Sequence, residues 1–237
     1  GVLSIKYKIN QIISGTVINI FATGITSYLS SKFIQKPDFQ YLNEPGMFEQ
    51  IQVPVLSQIP FIGPILFHHN IYVFAMVFFV LLLTFLLFKT RWGLRLRAVG
   101  ENPEAADAAG VNVVRLRYTA VMIAGVLAAI GGAFLSTGQS SLFTRGMSAG
   151  RGFIALAALI LAKWKPVPVL LACLFFGFTE ALTIQIQGAS WAKIGDEQLP
   201  IQFIEMIPYV LTIIVLAGFI GLSRAPKALG IPYRKES

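Results

Sequence analysis

The most constraining feature of this chain is the run NIYVFAMVFFVLLLTFLLF, residues 70–88, which carries no charged side chain. A helix of roughly 20 apolar residues crosses the hydrocarbon core of a bilayer. A soluble domain has about 25% charged residues, whereas this chain has 13% charged and 55% hydrophobic residues. These values exclude an ordinary soluble domain and predict a membrane-spanning bundle of helices.

Other stretches have a similar length and apolarity, and we interpret them as further spans: 11–31, 118–138, 146–163, 166–187 and 200–220. The stretch 146–163 is ambiguous because its apolar centre is short enough for a re-entrant helix. If it crosses, most of the 19 basic residues lie on the side of the amino terminus, as the positive-inside rule requires. We therefore expect an all-α polytopic bundle of about six spans, with both termini cytoplasmic and 32–69 as an outer loop.

The composition also limits the chemistry. The one cysteine, Cys173, excludes a disulfide framework. We find no phosphate-binding loop, metalloprotease helix or nucleophile elbow. The net charge of +8 comes from basic residues at the span ends, where they meet anionic lipid, and no basic patch interleaved with aromatic residues indicates nucleic acid. We therefore expect no catalytic residues, no metal and no cofactor. Membrane lipid is an expected partner, and nucleic acid is not.

The stretch GENPEAADAAG, residues 100–110, is the most polar part of the chain and lies between two spans. Asn102 is placed to cap a helix, Pro103 suits its first turn and Gly110 suits its end. The expected result is a short, water-exposed helix within a cytoplasmic segment, 89–117, with small alanine side chains. Two interpretations stay open: a helix that docks in a groove of another protein, or a well-capped loop.

The same stretch carries a family resemblance. Glu104, Ala105, Ala106 and Gly110 match the E-A-A-x-x-x-G loop that permease subunits of ABC importers present to their ATPase subunits. The isoleucine and leucine-proline that complete this signature are absent at 119–122. The longer context, GLRLRAVGENPEAADAAGVNVVRLRY followed by GGAFLSTGQ, resembles permeases of the branched-chain amino acid, ribose and nucleoside import lineage. The opening YKINQIISGTVINIFATGITSYL is most similar to the nucleoside or simple-sugar branch.

The resemblance implies a role for the polar helix and a set of partners. The helix at 103–110 would be a coupling helix, with these residues in the contact region: Glu101, Pro103, Glu104, Ala105, Ala106, Asp107, Ala108 and Gly110. The implied partners are ABC ATPase subunits, a second permease, identical or paralogous, and an extracytoplasmic substrate-binding protein. The implied location is the bacterial inner membrane. Permeases of this kind are longer at the amino end, so we expect the chain to be the carboxy-terminal part of a longer protein.

Polar residues at membrane depth are candidates for a substrate pathway. Glu180 and Thr183 lie within 166–187, and Asn19 lies with Thr16 and Thr23 on one face of 11–31. For Glu180 the alternatives are a ligand contact and a hydrogen bond between helices. For the Asn19 group they are hydrogen bonds to a solute and packing between helices.

Two other classes of transport protein compete with an ATP-driven importer. A secondary transporter is expected to show inverted repeats with helices broken at matching positions. A passive pore is expected to show charged rings or a filter of backbone carbonyls. We see neither feature in this sequence and expect the importer permease.

Overall fold

The apolar runs form the long helices of the computed structural model. The structure describes residues 1–34, 46–52, 67–187 and 224–233, together with isolated positions between 54 and 63 and between 193 and 214. The chain divides into two compact units, the first made of 1–149 with 226–237 and the second of 150–225.

The first unit holds five α-helices and three short π-helical turns among its described residues. The α-helices are α1 (Gln11–Leu29), α2 (Ile71–Lys89), α3 (Arg91–Glu101), α4 (Pro103–Ala108) and α5 (Val113–Ala133). The π-helical turns are Val2–Lys6, Ser30–Ile34 and Phe134–Gln139. A pair of two-residue antiparallel strands, β1 (Ile51–Gln52) and β2 (His68–His69), precedes α2.

The second unit contains α6 (Arg151–Leu161) and α7 (Pro166–Gln187), followed by the short antiparallel pair β3 (Lys193–Ile194) and β4 (Glu197–Gln198). The two helices pack through a buried alanine cluster of Ala158, Ala162 and Ala172. Small side chains let helix backbones approach closely, as is common in membrane bundles. The architecture is therefore helical, and the only departures from all-α among the described residues are these strand pairs.

Four helices among the described residues are long and apolar enough to cross a membrane. They are Gln11–Ile34, Ile71–Lys89, Val113–Gln139 and Pro166–Ile186. Each corresponds to a predicted span, but the third begins at Val113 and not at 118. Asn112 causes the earlier start because its Oδ1 accepts a hydrogen bond from the Arg115 amide over 2.9 Å. Consequently Arg115 and Arg117 lie on the helix instead of preceding it.

The stretch 146–163 contains a shorter helix than the sequence suggests. Helix α6 has 11 residues, which corresponds to about 16 Å, or half the hydrocarbon core. Gly150, with φ of 78°, precedes it, and Lys163 and Trp164 follow with φ of 54° and 62°. These left-handed residues set both limits of the helix. The predicted span 200–220, with Glu205, lies outside the described residues apart from isolated positions.

Helices α2 and α5 are joined at the start of α2 by polar side chains. The Asn70 Nδ2 donates to the Gly138 carbonyl over 3.1 Å, and the Tyr72 and Thr137 hydroxyls are 2.8 Å apart. The Phe48 ring packs edge-on against Tyr72 with centroids 5.5 Å apart. These contacts hold the start of α2, which is the end farthest from α3.

Candidate functional site

The polar region between the spans begins with a tight turn from α2 into α3. Thr90 caps α3, and its Oγ1 accepts a hydrogen bond from the Gly93 amide over 3.1 Å. Gly93 is buried so closely that a Cβ there would overlap the Leu86 carbonyl oxygen and the Leu87 backbone. Glycine is therefore required where α3 turns back against the end of α2.

Helix α4 forms where the capping residues predict it. Asn102 has φ of −148° and ψ of 96°, and its Oδ1 accepts a hydrogen bond from the Ala105 amide over 3.0 Å. Pro103 occupies the first turn, and Glu104 places a carboxylate near the positive end of the helix dipole. Gly110 has φ of 81°, a left-handed conformation that favours glycine and lets the chain leave the helix.

A small hydrophobic core supports α4. This junction core consists of the buried residues Val99, Ala106, Val113 and Leu116, which come from α3, α4 and α5. Ala106 is only 6% exposed and packs inward against this core. Glu104, Ala105 and Ala108 are exposed. Among the predicted contact residues, Ala106 therefore packs in the core, whereas Glu104, Ala105 and Ala108 lie on the surface of the helix.

Residues near the carboxy terminus complete this region, and sequence reasoning did not identify them. The Ala228 amide donates to the Gly100 carbonyl over 3.0 Å, and the Lys227 Nζ lies 3.0 Å from Glu101 Oε1. Tyr233 packs against the junction core. No local pattern signals these contacts, because they join residues far apart in the chain.

A cavity of about 550 Å³ lies beside α4. Its lining includes the carboxylate, guanidinium and phenol side chains of Asp107, Arg115 and Tyr233, together with the backbone around Gly110 and Asn112. Loss of solvent raises the pKa of the Tyr233 phenol, and the nearby Asp107 carboxylate raises that pKa further. The phenol thus stays protonated and can donate at neutral pH.

The polar candidates on α1 are exposed in the first unit. The Thr16 Oγ1 donates to the Ile12 carbonyl over 3.1 Å, and the Thr23 Oγ1 donates to the Asn19 carbonyl over 2.9 Å. Both hydroxyls therefore have a partner within their own helix, and each oxygen keeps acceptor capacity. The role of these residues in a pathway stays a prediction.

The polar candidates on α7 differ in their surroundings. The Glu180 carboxylate forms an ion pair with Arg151 at the start of α6, with 3.0 Å between Nη2 and Oε1. Thr179 and Thr183 are buried, and the Thr183 Oγ1 donates to the Thr179 carbonyl over 2.9 Å. Glu180 thus contacts a neighbouring helix within the second unit, and sequence reasoning did not identify Arg151 as its partner. A contact with substrate stays a prediction.

Within the part of the chain that the structure describes, no three His, Cys, Asp or Glu side chains are grouped to hold a metal ion. The region around α4 consists of caps, a small core and exposed alanines. This arrangement suits contact with another protein better than catalysis.

Comparison with known proteins places these features in a family. The model of the "branched-chain amino acid transport system / permease component" family matches residues 1–216. The nucleoside ABC transporter permease NupC of Lactococcus lactis is 40% identical over the whole of this chain and 73% of its own length. The guanosine ABC transporter permease NupQ of Bacillus subtilis is 40% identical over 98% of this chain and 71% of its own length.

A more distant relative is the putative glucose ABC transporter permease TsgC13 of Haloferax volcanii. It is 34% identical over 99% of this chain and 75% of its own length. No solved structure matches the chain. The apolar helices and these relatives identify a multi-pass transport component of the inner membrane. The chain belongs to the permease family of branched-chain amino acid transport systems.

Proposed function

We propose that this chain is the membrane-spanning subunit of an ATP-driven importer of nucleosides, and that α4 docks on a separate ATPase subunit. ATP-driven closure of two ATPase subunits would move α4 together with α2 and α5, the spans that flank its segment, and alternate the pathway between the two sides of the membrane. The chain itself would bind no nucleotide and hydrolyse none.

One observation carries the docking proposal: α4 presents small exposed side chains from a firmly held position. Ala105 and Ala108 are exposed, while Ala106 anchors the helix in the junction core. A groove in a partner can approach an alanine surface closely because no long side chain intervenes. A capped loop without a partner would need neither the alanine surface nor the core beneath it.

The test is a bulky substitution on the exposed surface of α4. Ala105→Trp should prevent docking because overpacking an interface costs about 1–3 kcal/mol. Co-purification of the ATPase subunit and substrate-stimulated ATP hydrolysis are the two measurements, and we expect both to fall about fivefold or more. Ala105→Ser is the matched control, since its volume hardly changes. Wild-type co-purification of the Trp variant would make α4 a capped loop.

The relatives support nucleosides as the substrate class. Two of them are named as nucleoside or guanosine permeases and cover nearly all of this chain at 40% identity. A simple sugar is the second candidate because the relative of Haloferax volcanii is named as a putative glucose permease. Uptake of labelled nucleosides by the reconstituted complex, in competition with unlabelled sugars, separates the two. Competition by glucose alone would reverse the assignment.

We further propose that Asn19 and Glu180 face the solute pathway. Their cysteine variants, in a Cys173→Ser background, should react with a polar thiol reagent, and substrate should slow that reaction. Thr16, Thr23 and Thr183 serve the same pathway in this proposal. Reaction rates that substrate leaves unchanged, with normal transport by Asn19→Ala, would assign Asn19 to helix packing instead.

The partners follow from the same proposal. They are a pair of ABC ATPase subunits, a second permease that is identical or paralogous, and an extracytoplasmic binding protein that selects the solute. Copy numbers in the purified complex, measured by native mass spectrometry, would establish this composition. Recovery of transport from the permease alone, without ATP, would favour a secondary transporter or a pore.

A further inference from the structure

We propose that the carboxy-terminal segment, residues 226–233, is a mechanical link between α4 and α1. It positions α4 and connects it to a helix that is distant from it in the chain. This inference rests on the proposed coupling role of α4. It adds a function for a segment outside the spans and names Tyr233 and Gln11 as its positioning residues.

The segment is held to α4 through Tyr233. The Tyr233 side chain packs against the junction core, which includes Ala106 of α4, and it lines the same cavity as Asp107 of α4. Its ring also lies 5.9 Å from the Arg117 guanidinium at the start of α5. Tyr233 therefore lies beside α4 at this core and cavity, while Ala105 and Ala108 stay exposed.

The same segment is held to the helices before and after α4. The Ala228 amide bonds to the Gly100 carbonyl of α3 over 3.0 Å. The Arg117 Nη1 donates to the Ile231 carbonyl over 3.3 Å. These two contacts fix the segment at both ends of the polar region, so that a displacement of α4 carries the segment with it.

The contact with α1 gives the segment its proposed purpose. The Gly230 amide donates to the Gln11 Oε1 over 3.3 Å at the first residue of α1. Gly230 has φ of 79°, which turns the backbone at this point. Helices α3 and α5 adjoin α4 in the chain, but α1 is separated from it by both α2 and α3. The carboxy-terminal segment thus gives the movement of α4 a route to α1.

Amide hydrogen exchange tests the link on the purified permease in detergent, without the ATPase. In Tyr233→Ala, the amides of α4 should exchange about threefold to tenfold faster, since the packing of the ring against the junction core is lost. Tyr233→Phe keeps the ring and should give a smaller increase. Leu229→Ala is the matched control because Leu229 is 54% exposed on the same segment.

Transport per ATP hydrolysed, in the reconstituted complex, tests the connection to α1. Gln11→Ala removes the acceptor for the Gly230 amide, and we expect transport per ATP to fall about threefold. Gln11→Glu keeps an acceptor oxygen and should restore the ratio, a rescue that a merely structural role for the side chain would not predict. ATPase co-purification should stay normal in both variants.

The outcomes separate this inference from the proposed function. Wild-type exchange in Tyr233→Ala, or a wild-type ratio in Gln11→Ala, would overturn the link while leaving ATPase docking intact. If Tyr233→Ala fails to fold, Arg117→Ala should also accelerate exchange, because Arg117 contacts both the Tyr233 ring and the Ile231 carbonyl. Normal docking of Ala105→Trp would instead contradict the proposed function. Faster exchange in Tyr233→Ala would then indicate a structural contact without a role in coupling.

Discussion

Two glycines on α3 differ in the space that their surroundings leave for a Cβ atom. Gly93 and Gly100 share a helix of 11 residues, yet a Cβ on Gly93 would overlap backbone atoms of Leu86 and Leu87, whereas one on Gly100 would meet Pro226 Cβ at 3.6 Å. The second distance is an ordinary van der Waals contact. The two positions form a matched pair within one helix.

Gly93→Ala should lower the thermal unfolding midpoint of the detergent-purified protein, because overpacking costs about 1–3 kcal/mol. Gly100→Ala should leave the midpoint unchanged or raise it, since alanine is about 1 kcal/mol better than glycine inside a helix. Equal midpoints for the two variants would contradict the close turn between α2 and α3.

Gly110 is required for a different reason. Its φ is 81°, and no neighbouring atom lies within 4 Å of the place where a Cβ would be. Gly110→Val should therefore destabilise the exit of α4 through backbone strain alone, by about 1–2 kcal/mol. Gly110→Asn should cost less because asparagine adopts left-handed conformations more readily. Thermal unfolding of both variants measures the difference, and a Val variant as stable as the Asn variant would argue against the left-handed exit.

At the scale of elements, the pairing of α6 with α7 places opposite charges on two apolar helices. Arg151→Glu would set two carboxylates against each other, and Glu180→Arg two guanidinium groups. Like charges within about 4–6 Å disfavour each other's charged form, whereas the native pair attracts. We expect each single reversal to reduce uptake about tenfold or more, and the exchanged pair to recover most of it. Failure of the double exchange, with normal folding, would mean that Glu180 has a role beyond this ion pair.

The elements also show what sequence can predict. Helix α4 was predictable because Asn102, Pro103 and Gly110 act within a few residues of one another. Helix α7 begins at Pro166 for the same kind of local reason. The short length of α6 was not predictable, because lysine and tryptophan rarely adopt left-handed conformations, and Lys163 and Trp164 therefore do not indicate the end of a helix. The partners Arg151 and Tyr233 were missed because those contacts depend on tertiary packing.

At the scale of the whole molecule, the carboxy-terminal segment bears on membrane topology. Its contact with Gln11 places it at the same end of the first unit as the start of α1 and as α4. The chain between the end of α5 and this segment must then cross the membrane an odd number of times. If α7 and the predicted span 200–220 provide two crossings, we expect the region around α6 to provide a third, and six spans stay a prediction.

Reporter fusions test this topology. A fusion at Ser237 should give a cytoplasmic signal, and an insertion within 46–52 should give an extracytoplasmic one, because α1 separates that region from the amino terminus. An extracytoplasmic signal at Ser237 would leave α6 as a re-entrant helix and reduce the number of spans to five.

The junction core also supplies an optical probe of its own movement. Trp92 packs against this core, to which the helix that we propose to meet the ATPase contributes Ala106. Indole emission responds to nearby polarity and charge, so the fluorescence of Trp92 should change when the neighbouring side chains rearrange. With the other tryptophans replaced by phenylalanine, stopped-flow fluorescence could time the arrival of the ATPase and each nucleotide-driven closure without an attached dye.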